Sequence, residues 1–251
     1  MDAVWIVTLS VALFAGTHIA LGFPPLRPRL AARLGEQGFV ALFSGIAGLS
    51  LLWLGSAIYR WGDEGPLMPA PGATLQAILV LVAIAGWLLA MAALDTYGRS
   101  PMALFRTRFA PPAGVQIISR HSFFVGLFVF ALAHALLVPT LAQAIYFAGF
   151  AALSAIGAIW QDRKLLRRHG QAYAEFMAST SILPFAAVLR GRQKLSMPHW
   201  RQCWRPLALT LAVLAAHPWL GQANGAWFAG LLGTGGVLIS LRRLYRSLQP
   251  N

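Results

Sequence analysis

The chain has 251 residues, of which 58% are hydrophobic and only 11% are charged, and its mean hydropathy is +0.64. Because soluble domains carry about 25% charged residues, this composition excludes an ordinary soluble domain and predicts a membrane protein. The single cysteine, Cys203, excludes an intramolecular disulfide and a cysteine-based metal cluster.

Seven hydrophobic segments approach or reach the length of about 20 residues that crosses a bilayer. They are residues 4–23, 39–59, 74–94, 121–139, 141–160, 205–220 and 226–241. These segments predict an all-α, polytopic transmembrane helix bundle of about six to seven spans, in which the last two segments are the shortest. The first segment lacks a positive flank and a small-residue cleavage site, so it is predicted to be an uncleaved span.

The basic residues alternate along the chain and predict its orientation in the membrane. Of the twenty lysines and arginines behind the net charge of +13, only Arg60 lies in a connection on the less basic side. The others lie in connections 24–38, 95–120 and 161–204, at Arg205, and in the C-terminal tail. The positive-inside rule makes that side cytoplasmic, with the N-terminus outside and the C-terminus inside. The positive charge therefore reflects topology, and we expect no nucleic-acid partner.

The connections and small residues complete the predicted bundle. Residues 24–38 predict a short basic amphipathic helix, and residues 161–178 predict a cytoplasmic extension of the fifth span. Small residues recur at helical spacing at 45, 48 and 55 and again at 233 and 236, which favours close helix contact in a membrane. The sequence holds no Walker loop, GxGxxG signature or HExxH motif.

Three histidines, His18, His134 and His217, lie inside the apolar segments. An ionisable side chain in the hydrocarbon layer costs free energy, so a functional role is the default hypothesis. At 1.5 Å per residue, His18 lies about 6 Å to the cytoplasmic side of the midplane, and His134 and His217 lie about 4 and 8 Å to the other side. The depths of His134 and His217 therefore match better than those of His18 and His134.

Haem iron accepts histidine ligands, and small residues flank both His18 and His134, which leaves room for a flat macrocycle. Zinc is disfavoured, because no carboxylate or cysteine accompanies these histidines inside the spans. A purely structural role, in which each imidazole bonds to a neighbouring helix, stays open. Arg120 and His121 begin the fourth span, where such a pair serves either as an anion-binding site for a lipid headgroup, phosphate or carboxylate, or as an interface anchor.

Four separated motifs, in order, carry a resemblance to the NnrU membrane family. They are GTHIALGFPPLRPRLAARLGEQGFVALFSGIAGL, RHSFFVGLFVFALAHALL, QDRKLLRRHGQAYAEFMASTSILPFAAVLRGRQKL and AAHPWLG. The resemblance divides the chain into an NnrU-like transmembrane domain over residues 1–221 and an additional span with a basic tail over residues 222–251.

The resemblance implies a function linked to a membrane-bound cofactor. NnrU proteins are associated with denitrification and nitric-oxide metabolism, and they are similar to 15-cis-zeta-carotene isomerases, which use haem b. The ligating histidines of those enzymes match His18 and His134, whereas a cysteine found three positions before the second ligand in the plant enzyme is Ala131 here. His217 is then an alternate ligand or a hydrogen-bonding partner.

A more distant resemblance points to isoprenylcysteine-type membrane methyltransferases. Their pattern Arg-His-Pro-x-Tyr-x-Gly, an acidic pair and then Gly-x-x-Tyr reads here as Arg120 to Gly126, Gln161-Asp162 and Gly170 to Tyr173. Ser122, Phe124 and Gln161 depart from it, at positions that serve S-adenosylmethionine binding in that family. The departures favour a retained fold without methyl transfer.

The sequence thus predicts a multi-pass haem b protein of the bacterial inner membrane. If it is an enzyme, a haem-dependent cis–trans isomerisation of an apolar polyene is the concrete candidate. A nitric-oxide-binding accessory of denitrification, an S-adenosylmethionine-dependent methyltransferase and a non-enzymatic structural protein are the alternatives. Membrane lipid is the expected partner in every case.

Overall fold

The computed structural model describes residues 2–23, 25–95, 112–195 and 200–247, and within these ranges it contains helices and no strand. The helices are α1 (Ala3–Gly22), α2 (Leu26–Trp61), α3 (Ala73–Asp95), α4 (Ser122–Leu137), α5 (Leu141–His169), α6 (Gln171–Ser179), α7 (Ala186–Leu189), α8 (Trp200–Gly221) and α9 (Ala226–Ser247). A 3₁₀ turn, Gly114–Gln116, precedes α4. The all-α prediction is confirmed, while Arg99, Arg106 and Arg108 of the basic pattern lie outside the described residues.

Five of the seven predicted spans fall within one helix, and the spans 4–23 and 121–139 extend past α1 and α4 by one or two residues. The helices differ in their ability to cross a bilayer. In the described part of the chain, α1, α2, α3 and α5 are long and apolar enough. Helices α8 and α9 meet this test only together, and they are bent by 108° at residues 222–225. At 16 residues, α4 is about 24 Å long, shorter than the hydrocarbon core of about 30 Å. The predicted total of six to seven therefore depends on α4, α8 and α9.

The predicted basic helix after α1 is present, and it continues into the second span. Helix α2 runs from Leu26 to Trp61 as two helical stretches joined at Gly35, whose φ of 72° and ψ of 163° kink the helix. Only glycine adopts this conformation without a steric penalty. Arg27 spans the kink, since its Nη2 lies 3.1 Å from Glu36 Oε2 and its guanidinium lies 5.0 Å from the centre of the Phe39 ring.

The structure divides into two compact units, and the first comprises residues 1–70, 138–149 and 217–251. In this unit α9 packs along α2 with the chains antiparallel, because Asn224 lies beside Asp63 while Arg243 donates to Gln37. Small residues line the contact: a Cβ at Gly48 would lie 2.7 Å from the carbonyl oxygen of Gly233. Ser240 Oγ donates to the Ala41 carbonyl across the same contact, at 2.7 Å. Close backbone approach is what the small-residue spacing predicted.

Connections with little basic charge meet in this first unit. Gln143 Nε2 donates to Asp63 Oδ1 at 2.9 Å and to Asn224 Oδ1 at 2.8 Å, and Asn224 Nδ2 donates to Asp63 Oδ2 at 2.9 Å. Thr140 Oγ1 donates to the Gly62 carbonyl. The 60–73 connection, the turn at residue 140 and the turn at 221–225 therefore share one location, as their charge pattern predicted.

The second unit comprises residues 71–137 and 150–216. In it α3 crosses α4 at two glycines: a Cβ at Gly86 would lie 2.6 Å from the Phe130 backbone nitrogen, and one at Gly126 would lie 2.5 Å from the Ala90 backbone nitrogen. Beside the crossing, Leu79, Ala83 and Ala133 form a buried cluster. The glycines thus set how closely α3 approaches α4.

The predicted helical extension over residues 161–178 is interrupted. Helix α5 ends at His169, Gly170 has φ 52°, and α6 begins at Gln171. The break folds α6 back onto α5, so that Leu165, Tyr173 and Phe176 form one buried cluster. The prediction of a continuous helix was wrong at Gly170, because a glycine in the left-handed region ends a helix.

The glycine contact between α2 and α9 can be tested with one methyl group. We expect Gly48→Ala to destabilise the protein by about 1–3 kcal/mol, because the new Cβ meets backbone atoms that cannot rotate away. Gly230→Ala on α9, whose Cβ would meet no atom within 4 Å, is the matched control and should be neutral or slightly stabilising. Denaturant unfolding in detergent measures both; equal effects would contradict the described contact.

Candidate functional site

His134 lies near the end of α4, in the second unit, with its ring nitrogen bonded to its own helix. Its Nδ1 lies 3.0 Å from the Phe130 carbonyl oxygen, and its ring centre lies 4.2 Å from that of Phe130. The Phe130 ring in turn lies 5.4 Å from the Trp87 ring of α3. Two aromatic rings and one turn of helix therefore fix the position of this imidazole.

The hydrogen bond of His134 determines which nitrogen can act as a ligand. A carbonyl oxygen has no proton to give, so Nδ1 must be the donor. The neutral imidazole then carries its lone pair on Nε2. Metal-ligating histidines almost always donate their second ring N–H to a carbonyl or carboxylate in this way, which orients the ring and raises its basicity. His134 therefore fits the chemistry of an axial haem ligand.

His18 lies in α1, in the first unit, between aromatic side chains. Its ring centre is 4.6 Å from that of Phe14 and 5.1 Å from that of Phe43. Its Nδ1 is shielded from solvent and interacts with the backbone of Phe14, one helical turn earlier, although without the geometry of an ordinary hydrogen bond. Its apolar surroundings and its contact with the backbone one turn earlier are like those of His134, so His18 also fits a ligand role.

The third predicted histidine has a different environment. His217 is exposed near the end of α8, in the first unit. Its role as an alternate ligand stays a prediction. His199, which the sequence places in the last basic connection, lies outside the described residues. Within those residues, no three His, Cys, Asp or Glu side chains gather in a way that could hold a metal ion.

Arg120 and His121 lie in a buried polar network in the second unit, centred on Asp162 of α5. Arg120 donates from Nε and Nη2 to both carboxylate oxygens, at 2.5–3.1 Å. His121 Nε2 lies 2.6 Å from Asp162 Oδ1, and the Tyr173 hydroxyl of α6 donates to the same oxygen at 2.6 Å. The network thus joins α4, α5 and α6.

The protonation of this network follows from burial and charge. His121 is 1% exposed and Tyr173 is fully buried. Burial raises the pKa of the Tyr173 hydroxyl well above its usual range, and the hydrogen bond to Asp162 raises it further. Tyr173 therefore stays a neutral donor. The anion that Arg120 and His121 bind in this structure is a carboxylate of the protein itself, and their assignment to a cofactor stays a prediction.

The sequence analysis missed the polar cluster around Gln143, and it did not predict the hydrogen bonds of Asp162. The buried Gln143, with Asp63 and Asn224, was not singled out, although a glutamine in an apolar span is itself a signal for a polar partner. Asp162 and Tyr173 were noted only as positions of the methyltransferase pattern. The bonds of Asp162 to Arg120 and His121 link residues 41 or 42 positions apart.

The network predicts a large effect for one substitution. We expect Asp162→Asn to destabilise the protein by about 3–5 kcal/mol, because it leaves the buried Arg120 without its counter-charge. Tyr173→Phe removes a single hydrogen bond to a charged group and should cost about 1.5–3 kcal/mol. The control, Glu175→Gln, changes an exposed acid on α6 and should stay within about 0.5 kcal/mol of the wild type. Unfolding in mild detergent is the measurement, and a result for Asp162→Asn like that for Glu175→Gln would contradict the network.

Comparison with known proteins gives the chain its relatives. It is 29% identical over 232 residues to a protein of Arabidopsis thaliana named 15-cis-zeta-carotene isomerase, chloroplastic. The aligned region covers 86% of this chain and 60% of that protein. A protein of the same name from Zea mays is 36% identical over 116 residues, or 44% of this chain and 31% of that protein. The chain therefore spans at most about 60% of the length of these curated relatives. No solved structure matches it.

A family model gives the broader assignment. The model described as NnrU protein matches residues 6–224, a range that includes α1 to α8 except for the first residues of α1. All five sequence-predicted site residues lie within this match, and α9 lies beyond it. The division of the chain at residue 221 stays a prediction. Since the match covers most of its length, the chain belongs to the NnrU family, as its four motifs predicted.

Proposed function

We propose that this protein is a membrane haem b protein that isomerises a cis double bond in an apolar polyene. The observation that carries haem binding is the Nδ1 hydrogen bond of His134, which places the ligand lone pair on Nε2. The reaction class comes from the similarity to proteins named 15-cis-zeta-carotene isomerase over 86% of the chain. Membership of the NnrU family supports the same proposal.

His18 and His134 would hold the cofactor, and the surroundings of each histidine in its own helix support this role. His134 is oriented by the Phe130 carbonyl, and His18 lies among the aromatic rings of Phe14 and Phe43. Both residues occupy apolar helices, whose side chains would surround a largely hydrophobic macrocycle favourably. When bound, haem would supply an electronic interaction with a conjugated chain that lowers the barrier to rotation about a double bond.

The protein's own contribution is a dry and oriented environment. Phe130 and Trp87 present flat apolar surfaces next to His134. Such surfaces favour a conjugated hydrocarbon and exclude water, which removes competing polar reactions. The α3–α4 crossing at Gly86 holds the two rings together, so the aromatic surface is part of the fold.

Two further functions remain as alternatives with different tests. Family membership favours a haem accessory of denitrification, which would bind nitric oxide at the iron without isomerising a polyene. The methyltransferase alternative needs S-adenosylmethionine, and the carboxylate at its pattern position, Asp162, is engaged by three side chains of the protein. The membrane in this proposal is the plasma membrane of a bacterium; the two plant relatives are named as chloroplastic.

Haem binding can be measured directly. The full chain, expressed with a haem supply and purified in detergent, should show a Soret band. His18→Ala and His134→Ala should each shift the band or remove it, because each would lose one ligand. His169→Ala, the same chemical change at the end of α5, is the control and should leave the spectrum unchanged. A protein without a Soret band, or ligand variants with the wild-type spectrum, would contradict haem binding by these residues.

Activity is tested in cells that accumulate 15-cis-zeta-carotene. Co-expression of the wild type should convert this polyene, measured by chromatography of extracted pigments, and His134→Ala should convert none. A Soret band that shifts with nitric oxide in a protein without polyene conversion would favour the denitrification accessory. Thermal stabilisation by S-adenosylmethionine, in a protein without haem, would favour the methyltransferase instead.

A further inference from the structure

The chain between α6 and α8 presents large apolar side chains outward, in the second unit. Leu183 is 66% exposed, Leu189 is 83% exposed and Leu195 is 58% exposed. Phe185 is 44% exposed. A concentration of exposed apolar side chains in 13 consecutive residues marks an interaction site with a protein or a membrane. We call residues 183–195 the outer segment.

The outer segment is fixed to the body of its unit by hydrogen bonds at both ends. At its start, the Phe185 backbone nitrogen donates to the Ile118 carbonyl at 2.9 Å. Immediately before the segment, the Ile182 carbonyl accepts a hydrogen bond from Ser119 Oγ at 2.7 Å. At its end, Gln193 Nε2 donates to the Ser179 carbonyl at 3.0 Å. Ala187, in α7, is almost fully buried. The apolar side chains therefore point outward from an ordered segment.

The backbone of Phe185 carries strain that supports this presentation. It has φ 61° and ψ −5°, a left-handed conformation that is unfavourable for a bulky residue. The bond to Ile118 offsets this cost, and the turn allows α7 to begin, since the Leu189 nitrogen donates back to the Phe185 carbonyl at 2.9 Å. Backbone strain of this kind persists where the surrounding structure fixes it.

The charge of the segment identifies the kind of partner. Arg190, Arg192 and Lys194 are exposed between the apolar residues. The whole sequence after Glu175 contains no aspartate or glutamate. A surface that alternates apolar and basic side chains lies in the membrane interface, with its apolar residues at the boundary of headgroups and acyl chains and its cations on anionic lipids.

The position of the segment relative to α4 places it at that interface. The hydrogen bonds of residues 181, 182 and 185 go to Ile118, Ser119 and Arg120, which directly precede the first turn of α4. From Ser122 onward α4 is apolar. The outer segment therefore lies beside the first residues of an apolar helix of the same unit. In a membrane, that end of the helix is expected at the depth of the lipid headgroups.

We propose that the outer segment is an anionic-lipid-binding surface. Leu183, Phe185 and Leu189 enter the boundary between headgroups and acyl chains, and Arg190, Arg192 and Lys194 pair with the phosphates of anionic phospholipids. The interaction is independent of haem and of any isomerase activity. The ligand is a phospholipid of the surrounding bilayer, and the unit that contains His134 binds it.

A fluorescent label at the most exposed leucine tests the apolar part. In the full chain with Cys203→Ser, Leu189→Cys is labelled with an environment-sensitive dye and placed in nanodiscs of zwitterionic lipid or of a mixture with anionic phosphatidylglycerol. The lipids carry a quencher near the headgroup. The dye should be quenched and blue-shifted more strongly in the anionic nanodiscs, and so should a dye at Leu183→Cys. A dye at Glu175→Cys, an exposed position on α6, is the control and should stay in a more aqueous environment.

Neutralising the cations tests the charged part. Arg190→Gln and Lys194→Gln should each raise the anionic-lipid fraction needed for half-maximal quenching roughly fivefold, which corresponds to about 1 kcal/mol for each basic residue near the surface. Arg60→Gln, an exposed arginine on the side predicted to be less basic, should leave that fraction unchanged. A water-like dye in both lipids, equal quenching in both, or equal behaviour of all three arginine and lysine variants would overturn the proposal.

Discussion

The carboxylate of Asp162 is the group on which the second unit most depends, because burying a charge is tolerated only when it is paired and fully hydrogen-bonded. Arg120, His121 and Tyr173 supply that pairing, and they come from two segments of the chain, the residues before α4 and helix α6. Since Arg120 and His121 directly precede α4, the network fixes the start of the helix that carries His134. The crossing of α3 at Gly86 and Gly126 fixes its middle. The candidate ligand is thus held by a helix that is anchored at two points.

Hydropathy and charge were sufficient to predict which residues form helices and which connections meet. Every predicted span coincides with a helix to within two residues or lies inside one, and Asp63, Gln143 and Asn224 join connections that the charge pattern had grouped. The ends of the helices were less predictable, because a helix does not stop where the apolar residues stop. Helix α2 begins in the basic segment at Leu26 and passes the kink at Gly35. Gly170 interrupts a pattern that reads as one helix.

The sequence singled out the residues of the candidate site, whose roles stay predictions, but it could not predict their contacts. A histidine in an apolar span signals a function, and the bond from His134 to the carbonyl four residues earlier follows from helix geometry alone. By contrast, Arg120 and Asp162 are 42 positions apart, and their residue types allow an anion site, an interface anchor or an internal ion pair. Only the folded arrangement of α4, α5 and α6 decides among these. Separation along the chain, not chemistry, limited that prediction.

Arg120 connects the Asp162 network with the outer segment in the second unit. Its side chain binds Asp162, while its backbone nitrogen donates to the Ser181 carbonyl at 2.9 Å, next to the outer segment. The same residue therefore fixes the start of α4 and the start of the segment that we propose binds anionic lipid. Because both attachments are hydrogen bonds of one residue, a displacement of the outer segment acts on the anchor of α4 without an intervening flexible linker.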